Sequence, residues 1–409
     1  MRIGRRNLAA AGTVTATSTH SSDYAAAYLV DGDPTRPWIA AEGASAVALR
    51  VDLDALLGVG GFEAAALPGT DESTGAGSID IEGSITHAGD QALKMLAGAG
   101  GVGRWSGTVT ARPGEAWNLS VYLRGDGTGS ARLRIEDTVT GQWYVGGAWQ
   151  ASEADYAARS ATSYAETEVS FTVSDEDEHQ LEEIPIRIHL LCSDSGQVAY
   201  ADELAAWPSW DTVAIVGHNV RPRQGVTVYS VTGASWGSGT LLGTLTKPQR
   251  PACYYRHASQ VATRYLEVIF PGVAEEQLYA GELHVAQSLE LARSFGTSHQ
   301  RGAALPQVAM EAAAGRRHIT AYTTDPIRTL ELTFFATDSD EAEELQAQLF
   351  WACRQGADAF LAIPDDDRPD VYLVRVIEPL ESTVRRLRTG DGHTFRVRLA
   401  EDGFPTVGL

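Results

Sequence analysis

Trp210-Asp-Thr-Val-Ala-Ile-Val-Gly-His-Asn-Val220 is the stretch that decides the fold. It begins with a run of β-branched and apolar residues and ends in a Gly-His-Asn turn, the pattern of a short strand. A similar strand, Ala48-Leu-Arg-Val-Asp-Leu-Asp54, lies about 150 residues upstream. If the two are consecutive and adjacent strands of one sandwich, everything between about Gly58 and Pro208 is an insertion.

The two strands resemble those of discoidin-like domains, which have the galactose-binding-like β-sandwich fold. In that family a strand of the form L-x-V-D-L leads into one of the form D-x-V-A-L-V-G-H-N. The segment from Ser21 to Trp38 adds to the likeness, because its Asp31-Gly-Asp-Pro34 turn precedes a tryptophan as it does in the family. The resemblance implies a discontinuous sandwich made of residues 1–57 and 208–285.

Composition restricts the class of protein. The 409 residues include 32 Lys and Arg against 53 Asp and Glu, a net charge of −21, so direct binding to nucleic acid is not expected. No apolar run approaches the roughly 18 residues of a membrane span. After Arg5-Arg6, the polar segment Thr13 to His20 interrupts any apolar stretch, and no cleaved export signal is predicted.

The insertion, residues 58–207, has a composition of its own. It holds 23 acidic and 8 basic residues and five of the nine tryptophans. Three segments alternate apolar and polar residues as half-buried strands do: Trp117 to Leu123, Ala131 to Glu136 and Ile184 to Leu190. They predict an antiparallel sandwich.

Short motifs in the insertion resemble the jelly-roll carbohydrate-binding modules attached to xylanases and cellulases. These are Gly61-Phe-Glu63, His87-Ala-Gly-Asp-Gln-Ala-Leu-Lys94 and Val109 to Arg124, which contains Arg-Pro-Gly-Glu before an aromatic strand. In such modules the acid of the G-F-E start and an acid of the last strand hold a structural calcium ion. The resemblance therefore implies calcium at Glu63 and Asp202, with solvated or arginine-paired carboxylates as the alternative.

Three aromatic residues are candidates for glycan binding. Trp143, Tyr144 and Trp149 lie close together around Gly146-Gly147, in what reads as a hairpin or loop. An aromatic face stacks on the apolar face of a pyranose ring while polar neighbours bond its hydroxyls. A role in the core is the alternative for these three, and a core role is the prediction for Trp105 and Trp117.

No catalytic residues are predicted. The histidines show no HExxH spacing, and no GxSxG elbow precedes a plausible triad. The glycine-rich loop Gly98-Ala-Gly-Gly-Val-Gly103 leads into a strand pattern, whereas a phosphate-binding loop needs a helix N-terminus there. We expect a non-enzymatic protein, and a glycan-cleaving enzyme remains a further alternative.

The C-terminal part divides into an arm and a small domain. Residues 286–317 read as an extended arm or linker with a short helix at Val308 to Ala314. Residues 318–409 read as an α+β domain with one main helix, capped by Asp338 and Glu341 and ended by Gly356. Its β-β-α-β-β-β order resembles the tube-like domain of siphophage tail and distal-tail proteins.

The expected fold class is therefore mainly β: a galactose-binding-like β-sandwich, interrupted by a jelly roll and followed by an α+β domain. This combination resembles a structural protein of a phage tail tip or baseplate. The resemblance implies a homo-oligomeric ring, contacts with other tail proteins, a possible host-surface glycan and a location in the virion after assembly in the bacterial cytoplasm. The alternative is a bacterial carbohydrate-binding protein or an accessory module of a glycan-degrading enzyme.

Overall fold

The computed structural model is mainly β, which confirms the predicted fold class. It describes residues 2–4, 6–32, 36–44, 46–56, 62, 69–174, 183–220, 225–233, 235–245, 252–271, 277–291, 300–304, 307–311, 317–321, 327–336, 340, 343, 360–363, 372–376, 381–387 and 390–401. The first of two compact units comprises Met1–Ala10, Val14–Asp52 and Trp210–Leu409. The second comprises Ala11–Thr13 and Leu53–Ser209. The four segments predicted from the sequence divide the chain more finely, and their boundaries stay a prediction.

The strands are numbered in chain order. The first four are β1 Arg2–Gly4, β2 Thr13–Ala16, β3 Trp38–Ile39 and β4 Ala46–Asp52. Twelve follow: β5 Thr70–Asp71, β6 Ser78–Glu82, β7 Ala92–Leu96, β8 Gly103–Ala111, β9 Ala116–Arg124, β10 Ala131–Asp137, β11 Gln142–Val145, β12 Ala148–Gln150, β13 Ala157–Arg159, β14 Ala165–Thr172, β15 Ile184–Cys192 and β16 Val198–Pro208. The next eight are β17 Trp210–Val216, β18 Thr227–Val231, β19 Thr240–Thr244, β20 Ala252–Val261, β21 Tyr265–Pro271, β22 Tyr279–Ala280, β23 Glu282–Ala286 and β24 Ser288–Glu290. The last eight are β25 Gln300–Ala304, β26 Gln307–Glu311, β27 Arg317–Ala321, β28 Ile327–Ala336, β29 Phe360–Ile363, β30 Tyr372–Val376, β31 Glu381–Leu387 and β32 Gly390–Glu401. Three short 3-10 helices lie at Leu8–Ala11, Ser22–Tyr24 and Ala26–Val30.

The second unit is a sandwich of two antiparallel sheets. One sheet has the order β12-β11-β10-β15-β8-β5, with β13 also paired to β10, and the other has the order β14-β9-β16-β7-β6. Alternation explains the core between them: in β9 every second side chain, from Trp117 to Leu123, is buried in one cluster with its counterparts from the facing sheet. Trp105 and Trp117 are 0% and 1% exposed, as predicted.

The first unit contains the interrupted sandwich. Its five-stranded sheet has the order β19-β18-β21-β4-β2, and its three-stranded sheet has the order β20-β17-β23. The prediction that β4 and β17 are adjacent is therefore wrong. Both edges of β17 are occupied, by β20 and β23, and a strand has only two edges to offer.

The strand β17 is buried at all seven positions. Ala214 and Val216 point to one face, where they pack in a cluster with Leu373 of β30. Val213 and Ile215 point to the opposite face, because side chains alternate along a strand. A strand covered on both faces has a continuous apolar run instead of an alternating one, which is why this stretch is so conspicuous in the sequence. Its buried Asp211 accepts hydrogen bonds from the Ser288 backbone N and Oγ, both at 2.8 Å.

The C-terminal strands form an eight-stranded sheet with the order β24-β1-β29-β30-β32-β28-β25 and β31 paired to β32. This sheet takes β1 from the start of the chain, since Ile3 pairs with both Leu289 and Ala362. The predicted strands of residues 318–409 are present, and β31 is an additional one. Asp340 and Glu343 are helical, and the rest of the predicted helix lies outside the described residues.

The segment predicted as an extended arm contains paired strands. β24 joins β1, and β25 joins β28. The short helix predicted at Val308 to Ala314 is wrong for its first residues, because β26 forms a hairpin ladder with β27 in which Met310 pairs with His318. Cross-strand hydrogen bonds here prevail over the helix propensity of an alanine-rich stretch.

No helix among the described residues is long and apolar enough to cross a membrane.

Candidate functional site

The predicted aromatic platform does not form as one surface. Trp143 and Tyr144 are consecutive residues of β11, so their rings point to opposite faces of the sheet. Tyr144 is 8% exposed and belongs to the core, and its hydroxyl donates to the Ser170 carbonyl at 3.1 Å. Trp149 packs against the same core, and its Nε1 donates to the Thr172 carbonyl at 2.9 Å. Glycan binding by Trp143, Tyr144 and Trp149 thus lacks a shared face, and a separate role for Trp143 stays a prediction.

Trp143 lies on the outer face of the seven-stranded sheet, with its ring 5.5 Å from that of His189. The arginines on this face are paired with carboxylates. Arg132 contacts Asp155 at 2.7 Å and Asp194 at 3.0 Å, and Arg134 contacts Asp155 at 2.5 Å. Both guanidinium groups are therefore engaged by carboxylates, although the buried Arg132 Nε has no hydrogen-bond partner within the described structure.

Asp202, the predicted calcium ligand on the last strand, accepts backbone hydrogen bonds. Its Oδ2 accepts from the His87 and Ala88 N–H groups at 2.7 and 3.3 Å, and its Oδ1 accepts from the Glu203 N–H at 2.7 Å. Glu63 lies outside the described residues. The described part of the chain contains no group of three or more His, Cys, Asp or Glu side chains that could hold a metal ion. Calcium at Glu63 and Asp202 stays a prediction.

A different cluster lies in the second unit, on the outer face of the five-stranded sheet β14-β9-β16-β7-β6. We call it the tyrosine face, and it consists of His87, Tyr122, Arg124, Tyr164 and Tyr200. Its position follows from the register of the two central strands. Arg124 of β9 pairs with Tyr200 of β16, and Tyr122 pairs with Asp202. Because side chains alternate along each strand, these residues lie on the face opposite the core.

His87 covers part of the tyrosine face. Its ring is stacked on Tyr122, with 3.7 Å between centroids and 16° between planes, and it meets Tyr164 edge-on at 5.7 Å. Two anchors hold the loop that carries it: the backbone bonds to Asp202 and the Tyr164 hydroxyl, which donates to the Ile85 carbonyl at 2.9 Å. The aromatic groups are therefore placed before any ligand arrives.

A bulge in β16 places a carboxylate beside His87. The register of β16 shifts between Asp202 and Ala205, and Glu203 has φ 48°, the only positive φ of a residue other than glycine in the described part of the chain. Such a conformation costs about 1–3 kcal/mol and is characteristic of functional sites. Its consequence is that Glu203 Oε2 lies 2.7 Å from His87 Nδ1, which fixes the imidazole ring.

Arg124 carries hydrogen-bonding groups that have no partner among the described residues. Its guanidinium carbon lies 5.7 Å from the ring centres of Tyr164 and Tyr200, so it is placed between two aromatic faces. Its Nε is buried and has no hydrogen-bond partner within the described structure. In a chain with net charge −21, an arginine held by tyrosines instead of carboxylates is unusual.

Burial also sets the protonation of the cluster. It raises the pKa of Tyr122 and of Tyr164 above the usual value, so both hydroxyls stay protonated well above neutral pH. The Tyr164 hydroxyl is used by the Ile85 carbonyl, and Tyr122 is hydrogen-bonded to Glu166. Burial likewise raises the pKa of Asp202, against the opposing effect of its backbone N–H donors. The face therefore combines aromatic rings and one guanidinium with the neighbouring carboxyl groups of Asp202, Glu203 and Glu166.

No protein-family model matches the chain, and no curated protein matches it. Among solved structures it is similar to the CBM22-1 xylan-binding domain of Paenibacillus barcinonensis Xyn10C, with 13% identity, TM-score 0.27 and coverage of 36% of this chain and 90% of that one. It is similar to a family 16 carbohydrate-binding module with 14% identity, TM-score 0.23 and coverage of 32% and 86%. The enzymatically active domain of bacteriophage CBA120 tailspike protein 4 is similar at 10% identity, TM-score 0.26 and coverage of 34% and 19%. Likenesses at these TM-scores assign neither a family nor a ligand.

Proposed function

We propose that the second unit binds glycans through the tyrosine face. The observation that carries the proposal is Arg124, whose guanidinium lies between Tyr164 and Tyr200 without a carboxylate partner in the described structure. Sugar recognition combines aromatic surface with a few fixed hydrogen-bonding groups. Arg124 supplies donors with fixed geometry, and the neighbouring tyrosine rings supply apolar surface for the ring of a sugar.

The charges around Arg124 favour an uncharged glycan. The field of Asp202 and Glu82 acts on Tyr164 together with that of Arg124. These carboxylates balance the positive charge at a distance without using its N–H donors. An acidic sugar would meet the carboxylates of Asp202, Glu203 and Glu166 on the same face, whereas hydroxyl groups can accept from Arg124 without that repulsion.

The test is a calorimetric titration of the whole chain with neutral oligosaccharides. Arg124→Ala should weaken binding by about tenfold or more, because a hydrogen bond to a charged group contributes about 1.5–3 kcal/mol. Arg187→Ala is a matched control, since Arg187 lies on the facing sheet and its contacts with Glu72 and Glu136 are 3.8 and 3.7 Å long. Equal affinities of the wild type and Arg124→Ala, or no binding by the wild type, would contradict the proposal.

The kind of protein to which the tyrosine face belongs is a separate part of the proposal. A carbohydrate-binding protein, or an accessory module of a glycan-degrading enzyme, needs only the tyrosine face. As such a module, the chain would bind the glycan and would not catalyse its cleavage.

A phage tail component, with a ring of copies and contacts to other tail proteins in the virion, is the second setting. The large apolar side chains Leu332, Phe334, Leu373 and Val374 of the C-terminal strands are buried within the single chain, so they offer no surface for contacts in a ring. Light scattering and electron micrographs of the purified chain test this setting. Closed rings would support it, and a monomer at all concentrations would oppose it.

A further inference from the structure

Trp236 is an exposed aromatic residue in the first unit, remote in sequence from the tyrosine face. It lies between β18 and β19, and 43% of its surface is exposed. Only two other large apolar side chains, Val139 and Leu241, are comparably exposed among the described residues. Trp236 and Gly237 lie over the outer face of the five-stranded sheet β19-β18-β21-β4-β2 of the first unit. On that face Arg50 of β4 and Glu267 of β21 are cross-strand neighbours.

The loop around Trp236 is fixed by buried charges. The Arg50 guanidinium carbon lies 4.5 Å from the centre of the indole ring. Arg50 is 6% exposed and donates from Nε to Glu267 Oε1 at 3.1 Å, with a second bond from its terminal nitrogen. The Gly237 N–H donates to the same carboxylate, at 3.2 Å to Oε2. One face of the indole thus lies against a buried ion pair, while 43% of the side chain remains exposed.

A side chain other than hydrogen at position 237 would disturb this arrangement. Gly237 has φ +74°, in the left-handed region that favours glycine. The Ser238 hydroxyl closes the turn by donating to the Ser235 carbonyl at 2.7 Å. Ser235, Gly237 and Ser238, the described residues beside the ring in sequence, are small and exposed, and the indole itself is 43% exposed.

The charges on this face pair with one another. Arg50 is bound to Glu267, and Arg264 binds Asp52 through two bonds of 2.7 and 2.8 Å. The formal charges of these four side chains sum to zero, in a chain whose net charge is −21. A ligand on this face meets no excess charge, which favours an uncharged partner.

We propose that Trp236 is a second contact site for neutral glycans, formed by the exposed indole face and the hydroxyl and backbone groups of Ser235 and Ser238. A stable protein interface needs about 1,000 Å² or more of buried area, whereas one ring among serines and glycines matches the size of a single pyranose. The buried ion pair holds the ring in place, so a sugar that stacks on it loses little additional side-chain entropy on binding. The proposal does not depend on the tyrosine face, because it uses different residues in a different unit.

The test is fluorine NMR of the full chain grown with fluorotryptophan, in which Trp236→Phe identifies the resonance of Trp236. The chain is titrated with cellohexaose, xylohexaose and mannohexaose. At least one of them should shift the Trp236 resonance in a saturable manner, and the shift should persist in Arg124→Ala. A resonance that stays unmoved while the tyrosine face binds, or a shift that disappears in Arg124→Ala, overturns the second site and leaves the first intact. No binding at either site overturns both proposals.

Two variants separate stacking from structural support. Trp236→Leu still covers the Arg50–Glu267 pair but has no flat ring, so its affinity in the Arg124→Ala background should fall about tenfold or more. Trp236→Phe keeps a ring and should lose much less. Equal affinities of the leucine variant and its parent, with both folded by circular dichroism, overturn the proposal. A steep salt dependence of this binding would overturn the assignment to neutral glycans, since contacts without net charge are little screened.

Discussion

His284 and His189 are buried histidines whose protonation the fold opposes. His284 on β23 and His189 on β15 are each 1% exposed. Burial lowers the pKa of His284 to about 3 and that of His189 to about 4, from an ordinary value of 6.5. For His189, nearby Arg104 adds to the effect of burial while Glu72 opposes it. Both groups therefore bind protons more readily in the unfolded chain.

This linkage predicts a loss of stability in acid. Because the folded-state pKa lies below the unfolded one, each histidine leaves stability unchanged above about pH 6.5 and reduces it as the pH falls toward 4. Replacing the titrating ring by an apolar side chain removes that contribution. We expect His284→Leu to retain about 2 kcal/mol more of its pH 7 stability at pH 4.5 than the wild type does. Urea unfolding at the two pH values measures this difference, and identical losses in the two proteins would contradict the burial argument.

At the scale of one element, β17 is the central strand of its three-stranded sheet and is packed on both faces. Ile215 is fully buried and pairs with Cys253 on one side and Leu283 on the other. Ile215→Ala should lower the free energy of unfolding by about 2–5 kcal/mol, because the cavity cannot close between two fixed neighbouring strands. Leu241→Ala is the matched control: Leu241 is 55% exposed, and its loss should change stability by about 0.5 kcal/mol or less. Similar effects of the two substitutions in denaturant titrations would show that β17 is not central.

Local patterns predicted individual strands well and their partners poorly. The continuous apolar run at Trp210 to Val216 and the alternation in β9 each depend on side chains within one strand, so the sequence is sufficient. Pairing depends on which edges remain open in the folded chain. The placement of β4 and β17 in different sheets cannot be predicted from the residues within these strands, and neither can the pairing of β1 with β29.

The functional residues were harder to predict for the same reason. Trp143 and Tyr144 were grouped because they are neighbours in sequence, yet alternation separates them. His87, Tyr164 and Tyr200 come together only through the register of distant strands and loops. The one signal in the sequence is the alternation from Trp117 to Leu123, which places Tyr122 on the side of the strand opposite its apolar residues. The glycine-rich loop has a packing role: a Cβ on Gly98 would lie 2.0 Å from the Ala76 carbonyl oxygen.

At the scale of the whole molecule, the two ends of the second unit lie side by side. The Ala55 N–H donates to the Ala206 carbonyl at 2.9 Å, and the Ala206 N–H donates to Asp54 Oδ1 at 3.2 Å. The segment Leu53–Ser209, which contains the core of this unit, therefore begins and ends at one place. Insertions with closely spaced ends are tolerated because the host needs only a short loop between the same two strands.

This geometry predicts that the second unit folds by itself. Its core cluster is drawn from residues of the same unit, among them Trp105, Trp117 and Ile188, so excision removes none of those contacts. A fragment of residues 53–209 should unfold cooperatively and bind neutral oligosaccharides as the full chain does at the tyrosine face. The complementary chain, with 59–207 replaced by a short Gly/Ser bridge, should also remain folded and should keep only the binding attributed to Trp236. Thermal unfolding followed by circular dichroism, together with the same titrations, measures all of these properties. A fragment that unfolds without a transition would show that the second unit depends on the rest of the chain for its stability.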